Sequence, residues 1–287
     1  MAIELSTPSV DRLGAVVDAL RGLQRNSAPI QLHPGDLGWH LRFGPDATAA
    51  ALRTWSRGGQ LLALGLLDGP GALRVTVAPE HWRDEELALR LATDASEPER
   101  GVLPSGSASI EAPDGTRLQD LLIEVGWQLG ESWTPLRHDL SDLAPVGLRV
   151  EVVGPGLVPA FTAVHRSAWG SSRFTDEAWH TMASGLPFGD ARCLLGYDEH
   201  DNPVAGVTIW SAGRGRPGLL EPMGVRADRR GRGHGTAICV AAASELKKMG
   251  STGAMVCTPS SLTGAIATYR AAGFQQLPER LDRTRNA

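Results

Sequence analysis

The stretch Leu219-Leu220-Glu221-Pro222-Met223-Gly224-Val225-Arg226-Ala227-Asp228-Arg229-Arg230-Gly231-Arg232-Gly233-His234-Gly235-Thr236 decides the fold. Its first seven residues read as a strand, a basic glycine-rich turn follows, and a helix is expected from about Gly235 to Met249. Backbone N–H groups at a helix start have no partner within the helix. Glycines let a ligand approach them closely. The helix dipole and the arginines favour an anion at that point. The segment therefore suits a pyrophosphate, with Arg230, Gly231, Arg232, Gly233, His234, Gly235 and Thr236 as the residues expected to bind it. The competing reading is a surface turn with solvated arginines. A dinucleotide-binding fingerprint needs an acidic residue ending the next strand, and Ala254–Thr258 carries none. A phosphate loop of the Walker type needs Lys-Ser/Thr after its glycines, which is absent.

Working outward, the second half reads as a helix through Leu157, Phe161, Val164 and Ala168, then strands at 193–197, 204–210 and 219–225. The glycine-loop helix follows, then a strand at 254–258, a helix at 263–271, and Gly273-Phe274. The first half runs in the same order. A helix through Val10, Leu13, Val16, Val17 and Leu20 precedes strands at 60–67 and 72–77. A helix near 84–92, a strand at 108–111, a helix through Leu118 to Val125, and Gly126-Trp127 complete it. Val77 to Gly126 spans 49 residues and Val225 to Gly273 spans 48, so the halves superpose at an offset of 147–148. This periodicity predicts two copies of one mixed α/β domain. The polar turn Ser141-Asp142-Leu143-Ala144-Pro145-Val146-Gly147 marks the boundary.

Arg230-x-x-Gly233-x-Gly235 after a strand ending in Val225 resembles the acyl-CoA loop of the GNAT superfamily of N-acetyltransferases. Ala265-x-x-x-Tyr269-x-x-x-Gly273-Phe274 is similar to that family's second motif. The resemblance covers roughly residues 148–287. Leu262 stands where the family often has Asn, and Ala227 where it usually has Pro. The fold implied is α/β with a mixed, α+β-type sheet: two tandem GNAT-like domains, each a mostly antiparallel sheet flanked by helices. Residues 1–144 are expected to be a degenerate structural copy and 148–287 the catalytic domain. In the first copy the loop reads Trp82-Arg83-Asp84-Glu85-Glu86-Leu87, Leu122 stands for Tyr269 and Leu73 for Glu221. Carboxylates at that helix start repel phosphate. The two halves are expected to pack through an apolar interface.

The resemblance implies an acetyl-CoA-dependent N-acetyltransferase acting on a primary amine of a small molecule by direct transfer in a ternary complex. It places Tyr269 near the thioester sulfur as general acid, and the backbone N–H groups of Met223 to Val225 near the thioester carbonyl. A phenol with pKa about 10 stays protonated at neutral pH and can donate. Glu221 lies on the same face as Val225 by the period of two. It could take the amine proton, anchor the substrate ammonium, or face solvent. The segment Ser167 to Thr175, joining two helices, is expected to form the acceptor pocket with Trp169, Arg173 and Phe174, and Trp179 and Trp210 are further candidates. His165 and His180 receive no role. The alternative is a CoA-binding pseudoenzyme or sensor without transferase activity.

The bulk of the sequence agrees with a globular enzyme. Of 287 residues, 42% are hydrophobic and 21% charged, with a formal net charge of -4 that speaks against nucleic acid as partner. No apolar run reaches membrane-spanning length and the N-terminus does not read as a signal peptide. Cys193, Cys239 and Cys257 are scattered without metal-ligand spacing, so no metal is expected and the thiols are read as buried and free. These features suggest the cytoplasm, and a homodimer remains open.

Overall fold

The computed structural model describes residues 1–286. The first half contains β1 (Glu4–Ser6), α1 (Leu13–Leu23), α2 (Pro34–His40), α3 (Pro45–Ala51), β2 (Leu52–Arg57), β3 (Gln60–Leu67), β4 (Ala72–Val77), α4 (Glu85–Ser96), β5 (Ala108–Glu111), α5 (Arg117–Glu124) and β6 (Gln128–His138). The second contains β7 (Arg149–Val152), α6 (Val158–Trp169), α7 (Asp176–Ala183), β8 (Ala191–Tyr197), β9 (Pro203–Trp210), β10 (Gly218–Val225), α8 (His234–Lys248), β11 (Ala254–Pro259), α9 (Thr263–Ala271), β12 (Gln275–Gln276) and β13 (Arg280–Arg285). The expected strands and helices of both copies are present, in two tandem domains of mostly antiparallel sheet flanked by helices.

All strands join one sheet in the order β1-β2-β3-β4-β5-β13-β6-β11-β10-β9-β8-β7, with β12 alongside β6. Among the described residues only β4–β5 and β10–β11 run parallel. At the centre the copies trade strands. β6, the last strand of the first half, pairs with β11 from Ala254↔His138 to Pro259↔Trp133. β13, from the second half, pairs with β5 through Arg283↔Ile110. The two traded strands also pair with each other, antiparallel, at Arg280↔Trp133 and Thr284↔Gln128.

The join adds to the expected apolar interface, which is present where α2 lies against Trp210 and Trp39 packs on Phe174 with ring centroids 4.8 Å apart. The main apolar clusters lie within one half or the other, apart from a few residues such as Trp39 and Leu136. What also crosses is a backbone ladder and, at its centre, one ion pair that ties Arg280 into a first-half network. Arg74 on β4 bonds Asp36 of α2 at 2.8 Å and Glu111 of β5 at 3.1 Å, and Arg280 of β13 reaches the same Glu111 at 3.1 Å. Sheet edges demand hydrogen-bond partners before apolar cover, and each domain here takes its last partner from the other copy.

α2 was not anticipated from sequence. Pro34 occupies its first turn, and His33 and Asp36 form a reciprocal cap: the Gly35 N–H donates to the His33 ring and the His33 N–H donates to Asp36. A Cβ on Gly35 would lie 2.4 Å from the Trp210 ring, and one on Gly38 2.2 Å from it. Only glycine at these two places lets a first-half helix lie flat on the second half's sheet, and that contact carries Trp39, Arg42 and Phe43 toward the site.

Candidate functional site

β10 and β11 pair only at Gly218↔Ala254 and Leu219↔Met255, then diverge. On its other side β10 pairs with β9, with a bulge between Leu220 and Met223. The divergence opens a wedge, and the bulge shifts the strand's pleat just where Glu221 stands. Glu221, Met223 and Val225 are half-buried and alternate with the buried Pro222 and Gly224. Glu221 and Met223 line a deeper cavity, and Met223 and Val225 the cleft beside it.

One cleft lies at the α8 end of the wedge, bounded by Met223, Val225, Arg230, Gly231, Gly233, His234, Gly235, Thr236 and Thr268. Gly231 and Gly233 adopt φ of 73° and 81°, in the left-handed region open to glycine. The first α8 hydrogen bond is Ala237 N–H to Gly233 O at 3.0 Å. Among the described residues the N–H groups of Arg230 to Thr236 donate to no protein acceptor. This is a row of donors at a helix start, suited to the pyrophosphate of a CoA thioester. Arg230 bonds the Ala168 carbonyl, which ties the loop to α6. Arg226 and Arg229 are engaged by Asp228 and Asp198. Arg232, expected among the cofactor-binding residues, is exposed and does not line the cleft.

A second cavity of about 770 Å³ lies deeper in the wedge. Glu221, Tyr269, Trp169, Arg173 and Phe174 line it, so the structure brings the expected catalytic pair and acceptor residues together. The two cavities adjoin, sharing Trp169, Met223, Leu262 and Ala265. Trp179 and Trp210 correct the sequence reading: both are buried in the core and neither lines the cavity. Trp210 is instead sealed under α2 and donates its ring N–H to the Glu221 carbonyl at 2.6 Å. Several lining residues were missed, four of them with aromatic or charged side chains. Trp39, Arg42 and Phe43 follow from the unanticipated α2, and His165 was seen and passed over. His165 is 1% exposed, stacks on Trp169 with ring centroids 5.1 Å apart, and neither ring nitrogen has a partner among the described residues.

The electrostatics follow from burial. Loss of water pushes the Glu221 carboxyl up to about 8, with Asp36 repelling it further and Arg74 opposing. Tyr269 is buried and its hydroxyl is held well above the ordinary phenol range, chiefly by burial, so it keeps its proton. Burial drives His165 down to about 3, leaving a neutral imidazole.

The model of the GNAT acetyltransferase family matches residues 157–274. The matched residues lie in the second half of the chain, which is thus similar to the GNAT family of acetyltransferases. Solved structures of the same overall fold span essentially the whole chain. A tandem GNAT protein from the clavulanic acid biosynthesis pathway shares 17% identity at a TM-score of 0.65, covering 99% of this chain and 98% of its own. A GNAT-family acetyltransferase from Colwellia psychrerythraea shares 17% at 0.63 over the full length of both chains. A GCN5-related N-acetyltransferase from Sphaerobacter thermophilus shares 18% at 0.60, over 99% and 95%. No curated protein matches the sequence.

In the first half the same place is closed to an anion. Asp84 caps α4 by accepting from the Leu87 N–H at 3.0 Å, and Glu85 and Glu86 fill its first turn. Arg117 pairs with Glu85, and Arg57 with Glu86 at 2.7 Å. The donors that α8 leaves open are answered here by side-chain carboxylate.

Proposed function

We propose that the chain is an acetyl-CoA-dependent N-acetyltransferase acting on a primary amine of a small molecule by direct transfer, with residues 148–287 catalytic and 1–144 structural. The observation that carries this is the junction of the two cavities: an unpartnered N–H row opens one, Glu221 and Tyr269 line the other, and Met223 stands between them. Bound acetyl-CoA supplies an activated acyl group at its thioester. Gly231 to Thr236 hold its pyrophosphate, and the N–H groups of β10 beyond the bulge face the acyl carbonyl. Glu221 receives the amine: as a carboxylate it takes the proton directly or through water, or anchors the ammonium. Tyr269 holds a proton on its hydroxyl oxygen for the departing sulfur. The aromatic wall excludes water, which strengthens both interactions.

The test is an amine panel assayed for free thiol release from acetyl-CoA. Tyr269→Phe keeps the ring but removes the donor, and turnover on an accepted amine is expected to fall roughly ten- to a thousandfold with CoA affinity nearly unchanged. A base with its carboxyl raised to about 8 is active only when deprotonated, so kcat/KM should rise with pH up to about 8. Glu221→Gln should abolish that limb if the carboxylate is the base, or raise KM at constant kcat if it is an anchor. Normal kinetics in both variants would overturn the assignment.

A further inference from the structure

The acceptor cavity carries a carboxyl and a guanidinium that do not pair with each other. Glu221 is on its floor, and Arg42, delivered by the turn after α2, is in its wall. Each guanidinium in a protein has five N–H donors. Arg42 spends one on the Trp39 carbonyl at 2.7 Å, and no other protein acceptor among the described residues takes the rest. It forms no ion pair among those residues, and neither does Arg173 on the rim. Yet Arg42 is clamped: its guanidinium carbon lies 4.1 Å from the Trp39 ring and 4.1 Å from the Phe43 ring. Desolvation lowers its pKa to about 10, with Asp68 and Glu221 opposing, so it stays charged at neutral pH. A rigid, partly desolvated fork with spare donors is built for a planar anion.

We propose that the acceptor is an amino carboxylate with an apolar body, its amine directed to Glu221 and its carboxylate held by Arg42. The claim rests on the transferase reading of the same cavity and narrows it. Two guanidiniums, Arg42 and Arg173, line a cavity whose one carboxyl is largely protonated at neutral pH, so a simple amine would add to uncompensated positive charge, whereas an amino carboxylate brings an anion for Arg42 and an amine for Glu221. Trp39, Phe43, Trp169 and Phe174 supply apolar surface between the two ends. Phe43 and Trp169 are 58% and 53% exposed, apolar faces that a ligand's body would cover.

The experiment separates recognition from turnover. Calorimetry in the presence of CoA would compare 6-aminohexanoate with hexylamine and hexanoate, and phenylalanine with phenethylamine and 3-phenylpropionate. At least one amino carboxylate should bind about ten- to a hundredfold more tightly than both its amine and its acid counterpart. In Arg42→Gln that preference over the amine should shrink to within about twofold, and Arg42→Lys should keep part of it. Amines that bind as well as amino carboxylates, no binding by any amino carboxylate in the set, or a preference that survives Arg42→Gln would each overturn the proposal. Binding with the expected preference but without thiol release would leave this inference standing and overturn the transferase reading instead.

Discussion

At the scale of single residues, two buried histidines set how the protein meets acid. His33 and His165 are both pushed down to about 3, chiefly by burial, His33 with an opposing contact to the Pro217 carbonyl. Their folded values lie below the ordinary 6.5, so the unfolded chain binds these protons first. The stability they contribute is intact above about pH 6.5 and is lost as pH falls from there toward 3. At pH 5 the cost is about 2 kcal/mol apiece. Urea midpoints measured between pH 7 and 5 should therefore fall, and His165→Phe should flatten the slope by close to one proton. An unchanged slope in that variant would mean that His165 is charged or solvated. Sequence could not rank these histidines. An imidazole in a helix looks the same whether it faces solvent or, like His165, a cavity walled by Trp169 and Phe174 from the following segment.

At the scale of elements, α8 and α4 occupy matching places and differ at their first turns. α8 begins after Gly233 in the left-handed conformation, with no side-chain cap, and α4 begins after Asp84, which caps it. Gly233→Glu brings two penalties. A side chain at φ 81° is strained by about 1–2 kcal/mol, and a carboxylate enters the row of donors. CoA binding, followed by calorimetry, is expected to weaken at least a hundredfold, while α8 itself remains folded. This contrast was legible in advance because helix starts are local: Arg230-Gly231-Arg232-Gly233 and Arg83-Asp84-Glu85-Glu86 carry their consequences in neighbouring residues. The same holds for the strand–helix order of each half, and for Tyr269 on α9. α2 escaped notice because seven residues with two glycines show too little periodicity. Its glycines make sense only against Trp210, a contact 172 to 175 residues distant in sequence that no local pattern encodes. Arg42 was hidden with it.

At the scale of the whole molecule, the exchanged strands make the halves one folding unit. Glu111 answers both Arg74 and Arg280; burial alone would raise its pKa, but the two guanidiniums outweigh this and hold it below the usual value. Glu111→Ala leaves two buried cations without their shared partner, and a loss of about 3–5 kcal/mol is expected in chemical unfolding. A chain of residues 148–287 alone would lack β6, exposing the β11 edge and stripping β13 of both neighbours. It should be poorly soluble and melt well below the full chain; an equal melting temperature would refute this account of the join. The exchange also bears on the order in which the protein comes into being. Arg285 donates to the Ala95 carbonyl, 190 residues earlier in the chain. During synthesis, the first domain emerges with β5 paired to β4 on one edge and open on the other, and must wait, through the making of nearly the whole second domain, for the strand that closes that edge. Domains that ordinarily fold as they leave the ribosome are here obliged to finish together, so the interval before β13 emerges is when this protein is most exposed to mispairing and most dependent on chaperones.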